Sequence, residues 1–186
     1  MRLFIAIALP PDVAARAFEI LPTGLVALRR VKAENLHLTL AFLGQTPDER
    51  LGDVTAAASD SASSVSRFTV GFGGVGRFPE RGRPRVVWLG IAEGAPSVLE
   101  LGRGVSAGLR SHGLRFDDRP LAPHLTLARV VEDASAAEAK TVGAALDRLS
   151  VGGLRFEVSE IAVIQSVLSP KGPRYTALAT VPLAHS

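Results

Sequence analysis

The 186-residue chain has no cysteine, one methionine, one tryptophan and one tyrosine. The missing thiols exclude disulfide cross-links, thiolate nucleophiles and cysteine-ligated metal together. Long apolar runs are missing too. The run near the start, Leu3 to Leu9, falls far short of the ~20 residues that cross a bilayer. Pro10-Pro11-Asp12 follows at once, which suits a strand entering a helix better than a secretory leader. The expectation is a cytoplasmic protein with no membrane partner. Lysine is scarce, at three against eighteen arginines, and the net charge is only +3, so charge alone points weakly to an anionic partner. There is no low-complexity tract, and 47% of the residues are hydrophobic, enough to bury a sizeable core.

Histidine is also rare, with four in the chain, and two of them lie in the same tetrapeptide. His37-Leu38-Thr39-Leu40 recurs as His124-Leu125-Thr126-Leu127. On a strand successive side chains alternate faces, so each copy presents an imidazole and a hydroxyl on one face and two leucines on the other. A lone histidine on a strand is ordinarily a satisfied structural residue. Packing asks a repeat to keep apolar residues at matching places, but gives no reason to keep His and Thr on the polar face of both copies.

The flanking pattern repeats as well. Residues 2–9 read as a buried strand. Pro10 and Pro11 open a helical segment with Val13, Phe18, Leu21, Leu25 and Leu28 on one side, interrupted at Pro22. The first HLTL strand ends at Gly44, and a helix from Pro47 buries Leu51, Val54, Ala58, Ala62 and Val65. A glycine-interrupted strand spans 67–78. The order then restarts, with a strand over 85–91 and a helix from Pro96 that carries Val98, Leu101, Val105 and Leu109. The second HLTL strand, a helix with Ala139, Val142, Leu146 and Leu149, and strands over 154–167 and 174–182 complete it. The expected architecture is α+β: two pseudo-symmetric lobes, each an antiparallel sheet with helices packed on its outer face. An active-site groove lies between them, and 1–186 form a single bilobal domain with repeat halves near 1–84 and 85–186.

Two imidazoles and two hydroxyls in one cleft suit a particular chemistry. Structural and catalytic zinc sites take three or four protein ligands, and here there are two candidate histidines and no cysteine. A nucleophilic Thr39 or Thr126 would make the second copy superfluous. Two imidazoles near their ordinary pKa of about 6.5 can be one neutral and one protonated, so one accepts a proton while the other donates. Metal-free acid–base work on a phosphate, with no cofactor, is the better fit.

The chain resembles the two-histidine phosphoesterase superfamily, and within it the RNA 2',3'-cyclic phosphodiesterases also called 2'-5' RNA ligases. Besides the two HxTx motifs, the resemblance rests on Arg2-Leu3-Phe4-Ile5-Ala6-Ile7, Glu34-Asn35-Leu36, Ala41-Phe42-Leu43-Gly44 and Pro84-Arg85-Val86-Val87-Trp88. Ala128-Arg129, Gln165-Ser166 and Gly172-Pro173-Arg174-Tyr175 extend it over essentially the whole chain. It implies hydrolysis of a terminal 2',3'-cyclic phosphate to a 2'-phosphomonoester, with His37 as proton donor, His124 as proton acceptor, and Thr39 and Thr126 on the phosphate oxygens. The implied partner is RNA with a 2',3'-cyclic phosphate end, or a cyclic nucleotide, taken by a monomer. Two rival readings stay open: end-joining by the reverse reaction, and a nucleotide- or RNA-binding module without turnover.

The resemblance also implies substrate contacts by Phe42 and Arg129, each five residues after a motif histidine. Strict alternation puts an odd offset on the opposite face, so a bulge or a strand end is needed to bring either into the cleft. Arg77, Arg81, Arg83 and Arg85 surround Glu80 in a loop that reads equally as an RNA backbone track and as a solvated loop. Lys171 and Arg174 sit in a turn placed to border the groove. Trp88 and Tyr175 read as core, His112 as a helix end and His185 as a tail residue.

Overall fold

Alternating apolar and polar side chains, broken by proline and glycine, produce nine strands and four helices in a computed structural model that describes residues 1–170 and 172–185. The strands are β1 (Arg2–Ala8), β2 (Leu28–Arg30), β3 (His37–Gln45), β4 (Phe68–Phe78), β5 (Val86–Glu93), β6 (His124–Val130), β7 (Arg155–Val158), β8 (Glu160–Val167) and β9 (Arg174–Pro182). The helices are α1 (Pro11–Glu19), α2 (Leu51–Ala62), α3 (Ala95–Ser111) and α4 (Ala136–Leu146). No helix among the described residues is long and apolar enough to cross a membrane.

Antiparallel pairing links the strands in the order β7-β4-β5-β6-β3-β1-β8-β9, with β2 added to β6. One lobe is β3-β1-β8-β9 and the other β6-β5-β4-β7, so strands from both halves of the sequence enter each lobe. The last strand of the first unit, β4, pairs with β5 of the second, and β8 of the second pairs with β1 of the first. Each half of the sequence thus completes the other half's sheet. The helices lay Val54 and Ala57 of α2, Val98, Leu101 and Val105 of α3, and Val142 of α4 onto the main core. Gly108 on α3 sits where a Cβ would lie 2.9 Å from the Ala57 carbonyl oxygen, so α2 and α3 approach backbone to backbone.

Two elements depart from the sequence reading. The first helix stops at Glu19, and Leu28 belongs to β2, whose pairing with β6 outweighs continued helical periodicity beyond Pro22. The single strand expected over 154–167 is two, β7 and β8, which belong to opposite lobes and part at Ser159.

Between β3 and β6, where the sheets of the two lobes join, the pairing is a single antiparallel residue pair, Leu38 and Leu125. Both side chains are almost inaccessible and point into the main core. We expect Leu38→Ala and Leu125→Ala each to lose about 2–5 kcal/mol of unfolding free energy in urea titrations. Because the two are in contact, the double variant should lose less than the sum; strict additivity would mean that the pair is not a shared seam.

Candidate active site

The seam determines what faces outward. With Leu38 and Leu125 paired and turned inward, the residues on either side of each turn to the opposite face. Antiparallel direction then sets His37 toward Thr126 and Thr39 toward His124. All four line one groove of about 600 Å³.

Phe42 and Arg129 line the same groove, and two matching bulges bring them there. In β3, Thr39 pairs with Ala6 and Ala41 with Ile5, leaving Leu40 as an extra residue. In β6, Thr126 pairs with Trp88 and Ala128 with Val87, leaving Leu127 extra. Leu40 and Ala41 are consecutively buried, as are Leu127 and Ala128, so the alternation shifts by one and the fifth residue after each histidine returns to the histidine's face.

Each imidazole is held in the same way. His37 Nδ1 lies 2.7 Å from the Asn35 carbonyl oxygen, and His124 Nδ1 lies 2.7 Å from that of Ala122. A carbonyl only accepts, so Nδ1 carries a proton in both rings and Nε2 is the nitrogen whose proton comes and goes. The two surroundings differ. His37 packs between Phe4, at 4.8 Å between ring centroids, and the edge of Tyr175 at 5.4 Å. His124 meets the edge of Phe78 at 5.3 Å and lies 6.2 Å from Trp88. Trp88 lies flat against Gly76, where a Cβ would fall 2.2 Å from the indole. Burial holds the His37 pKa below its ordinary 6.5; the hydrogen bond to Asn35 opposes that shift and the neighbouring His124 adds to it.

Two residues that the sequence reading left out also line the groove. Arg2 lies over the Phe42 ring at 5.0 Å, and its Nε has no hydrogen-bond partner among the described residues. Phe4 shares the groove face with Arg2, because β1 is buried on both faces: Leu3, Ile5 and Ile7 in the main core, Phe4 and Ala6 in a second cluster with Ala162 and Ile164. Tyr175, expected in the core, is instead a half-buried groove wall; burial raises its pKa, and Arg129 and Arg2 pull it back. Trp88 is likewise only half-buried, beside His124. Gly172 and Pro173 bring the β8–β9 turn to the groove, whereas Lys171 lies outside the described residues.

The remaining candidates lie elsewhere. His112 ends α3 and sits 3.9 Å from both Asp53 and Asp60. Arg77, Arg81 and Arg83 border a separate hollow of about 790 Å³ against α4, with Glu80 and Asp147 on its walls. Arg83 Nη2 donates to the Glu132 carbonyl at 2.7 Å, which makes it a loop clamp. No three His, Cys, Asp or Glu side chains among the described residues cluster as metal ligands would.

A family model described as the 2'-5' RNA ligase superfamily matches residues 10–168. The chain belongs to the 2'-5' RNA ligase superfamily. Relatives named RNA 2',3'-cyclic phosphodiesterase share 38% identity in Thermus thermophilus and 34% in Archaeoglobus fulgidus. The matches span 96% of this chain in both cases, and 88% and 98% of the respective relatives. Among solved structures, a protein of Thermus thermophilus matches with a TM-score of 0.81 and 32% identity over the whole of both chains. Escherichia coli LigT complexed with 3'-AMP matches with a TM-score of 0.76 and 28% identity over 98% of this chain and 97% of its own. This chain therefore shares its overall fold with those structures, and the paired HLTL strands lie at the junction of its two lobes.

The lowered His37 pKa has a consequence for stability. As pH falls through 6.5, the unfolded chain binds a proton at this residue more readily than the folded one, so His37 removes stability on acidification and has no effect well above 6.5. Urea midpoints taken from about pH 7.5 to about pH 5.5 should fall more steeply for the wild type than for His37→Asn. Parallel curves would mean that folding does not hinder protonation of His37.

Proposed function

We propose that this chain opens the 2',3'-cyclic phosphate at the end of an RNA and leaves a 2'-phosphomonoester, using His37 and His124 as acid and base. The observation that carries the reading is the pair of imidazoles turned into one groove by a single antiparallel seam, each with Nδ1 tied to a carbonyl. The activity in the names of both relatives supports the substrate class. RNA is a chemical requirement, because deoxyribose has no 2'-oxygen to close the ring.

Water attacks phosphorus while its proton passes to Nε2 of His124. The bond from phosphorus to the 3'-oxygen breaks, and that oxygen takes the proton from Nε2 of His37. The hydroxyls of Thr39 and Thr126 donate to the two non-bridging oxygens, where negative charge grows in the transition state. Arg129 adds positive charge to the groove. Phe42, backed by Arg2, offers a flat apolar face to the terminal base. Both histidines come from one chain, so a monomer suffices. A 5'-hydroxyl attacking phosphorus in place of water would follow the same steps, lose its proton to His124, and join two ends through a 2'-5' linkage, in keeping with the ligase name of the superfamily. Water at its bulk concentration favours hydrolysis.

Purified protein in excess chelator should convert a nucleoside 2',3'-cyclic phosphate to the 2'-monophosphate, resolved from the 3' isomer by chromatography. His37→Ala and His124→Ala should each slow turnover at least ~100-fold with binding largely retained. Activity lost to chelator and restored by a divalent ion, or near-normal turnover in either variant, would contradict the mechanism.

The pH profile tests the donor. An imidazolium held down by burial regains its proton when an anionic phosphodiester settles beside it. The alkaline limb of kcat, which reports the complex, should therefore lie at higher pH than that of kcat/KM, which reports the free protein. Coincident limbs would mean that His37 is not the group that donates.

A further inference from the structure

The groove carries more positive charge than one cyclic phosphate can answer. Among the described residues its lining holds Arg2, Arg29, Arg30, Lys32 and Arg129 and no carboxylate, whereas a 2',3'-cyclic phosphate bears a single negative charge. Two of these cations are directly opposed. Arg29 on β2 is the cross-strand partner of Arg129 on β6, both are exposed, and both line the groove. Like charges directly opposite each other destabilise an antiparallel pair, and neither arginine forms an ion pair among the described residues.

The adjacent Arg30 shows what a structural arginine does in this strand. It pairs with the buried Ala128, its Nη2 donates to the carbonyls of Phe18 at 2.5 Å and Leu21 at 2.6 Å, and its guanidinium covers the Phe18 ring. Arg29 has no such task. At a strand rise of about 3.3 Å per residue, the backbone of Arg129 stands roughly 16 Å along β6 from that of His124.

We propose that Arg29 and Arg129 form a clamp for a second phosphate, the phosphodiester on the 5' side of the terminal nucleotide, so that the groove favours RNA ends over cyclic mononucleotides. The inference rests on the proposed cyclic phosphodiesterase reaction and adds a subsite to it. An anion between the guanidiniums turns their repulsion into two charge-assisted hydrogen-bonded contacts. A 5'-phosphate on a mononucleotide offers the same chemistry, so the test separates the two sources.

Three substrates distinguish the outcomes: a nucleoside 2',3'-cyclic phosphate, its 5'-phosphorylated form, and an oligoribonucleotide ending in a 2',3'-cyclic phosphate. For Arg29→Gln, kcat/KM should fall at least ~10-fold on the oligoribonucleotide and stay within about twofold on the plain nucleoside substrate. The slope of log KM against log salt for the oligoribonucleotide should drop by about one. Thermal stability should not fall, because a like-charge pair is removed. A loss confined to the 5'-phosphorylated mononucleotide would overturn the assignment to RNA, and an equal loss on all three substrates, or none, would overturn the clamp. If the wild type leaves the plain nucleoside substrate intact, the underlying reaction fails instead, whatever Arg29 does.

Discussion

The contact between Leu38 and Leu125 is where the two lobes become one sheet. Its position dictates the chemistry on the other side. One pair, buried in the main core, fixes the relative height of β3 and β6 and leaves their outward faces open as a groove. Displacing either strand by one residue would send its histidine and threonine into the core and its leucines into the groove.

Around that point the halves are alike in backbone and unlike in surroundings. The same carbonyl hook, two residues back, holds each imidazole, and the same bulge follows each motif. His37, however, sits among Phe4 and Tyr175, and Asn35 ties its segment to the β8–β9 turn by donating from Nδ2 to the Pro173 carbonyl at 3.0 Å. Its counterpart Ala122 has no side chain for such a tie. At the fifth position Phe42 offers a stacking face on one side and Arg129 a charge on the other. On the proposed reaction, a symmetric frame would serve an asymmetric substrate, with a base at one end and phosphates at the other.

The repeated tetrapeptide pointed to the four residues, His37, Thr39, His124 and Thr126, that the fold brings into one groove, because packing alone gives no reason to keep His and Thr twice. The lobes were legible from strand and helix order, but not which strand joins which lobe. Exchange of β4 and β8 depends on pairing across the whole chain, and no local pattern carries it. The bulges were recognised as a requirement for Phe42 and Arg129; the consecutive inward residues at Leu40-Ala41 and Leu127-Ala128 were the visible trace. Tyr175 and Arg2 were missed in different ways. A lone aromatic looks like core until the partner strand is known, and an arginine before an apolar run looks like a flank. Phe4 was hidden by the run itself, since a strand buried on both faces shows no alternation.

The most direct test of the account is nitrogen NMR of the histidine side chains. Both His37 and His124 should be found as the Nδ1–H tautomer when neutral. Titration with a nucleoside 2'-monophosphate, the proposed product, should move both Nε2 resonances along one binding curve. A histidine in the Nε2–H form, or one whose resonance stays still while the other moves, would show that the two rings do not share a phosphate.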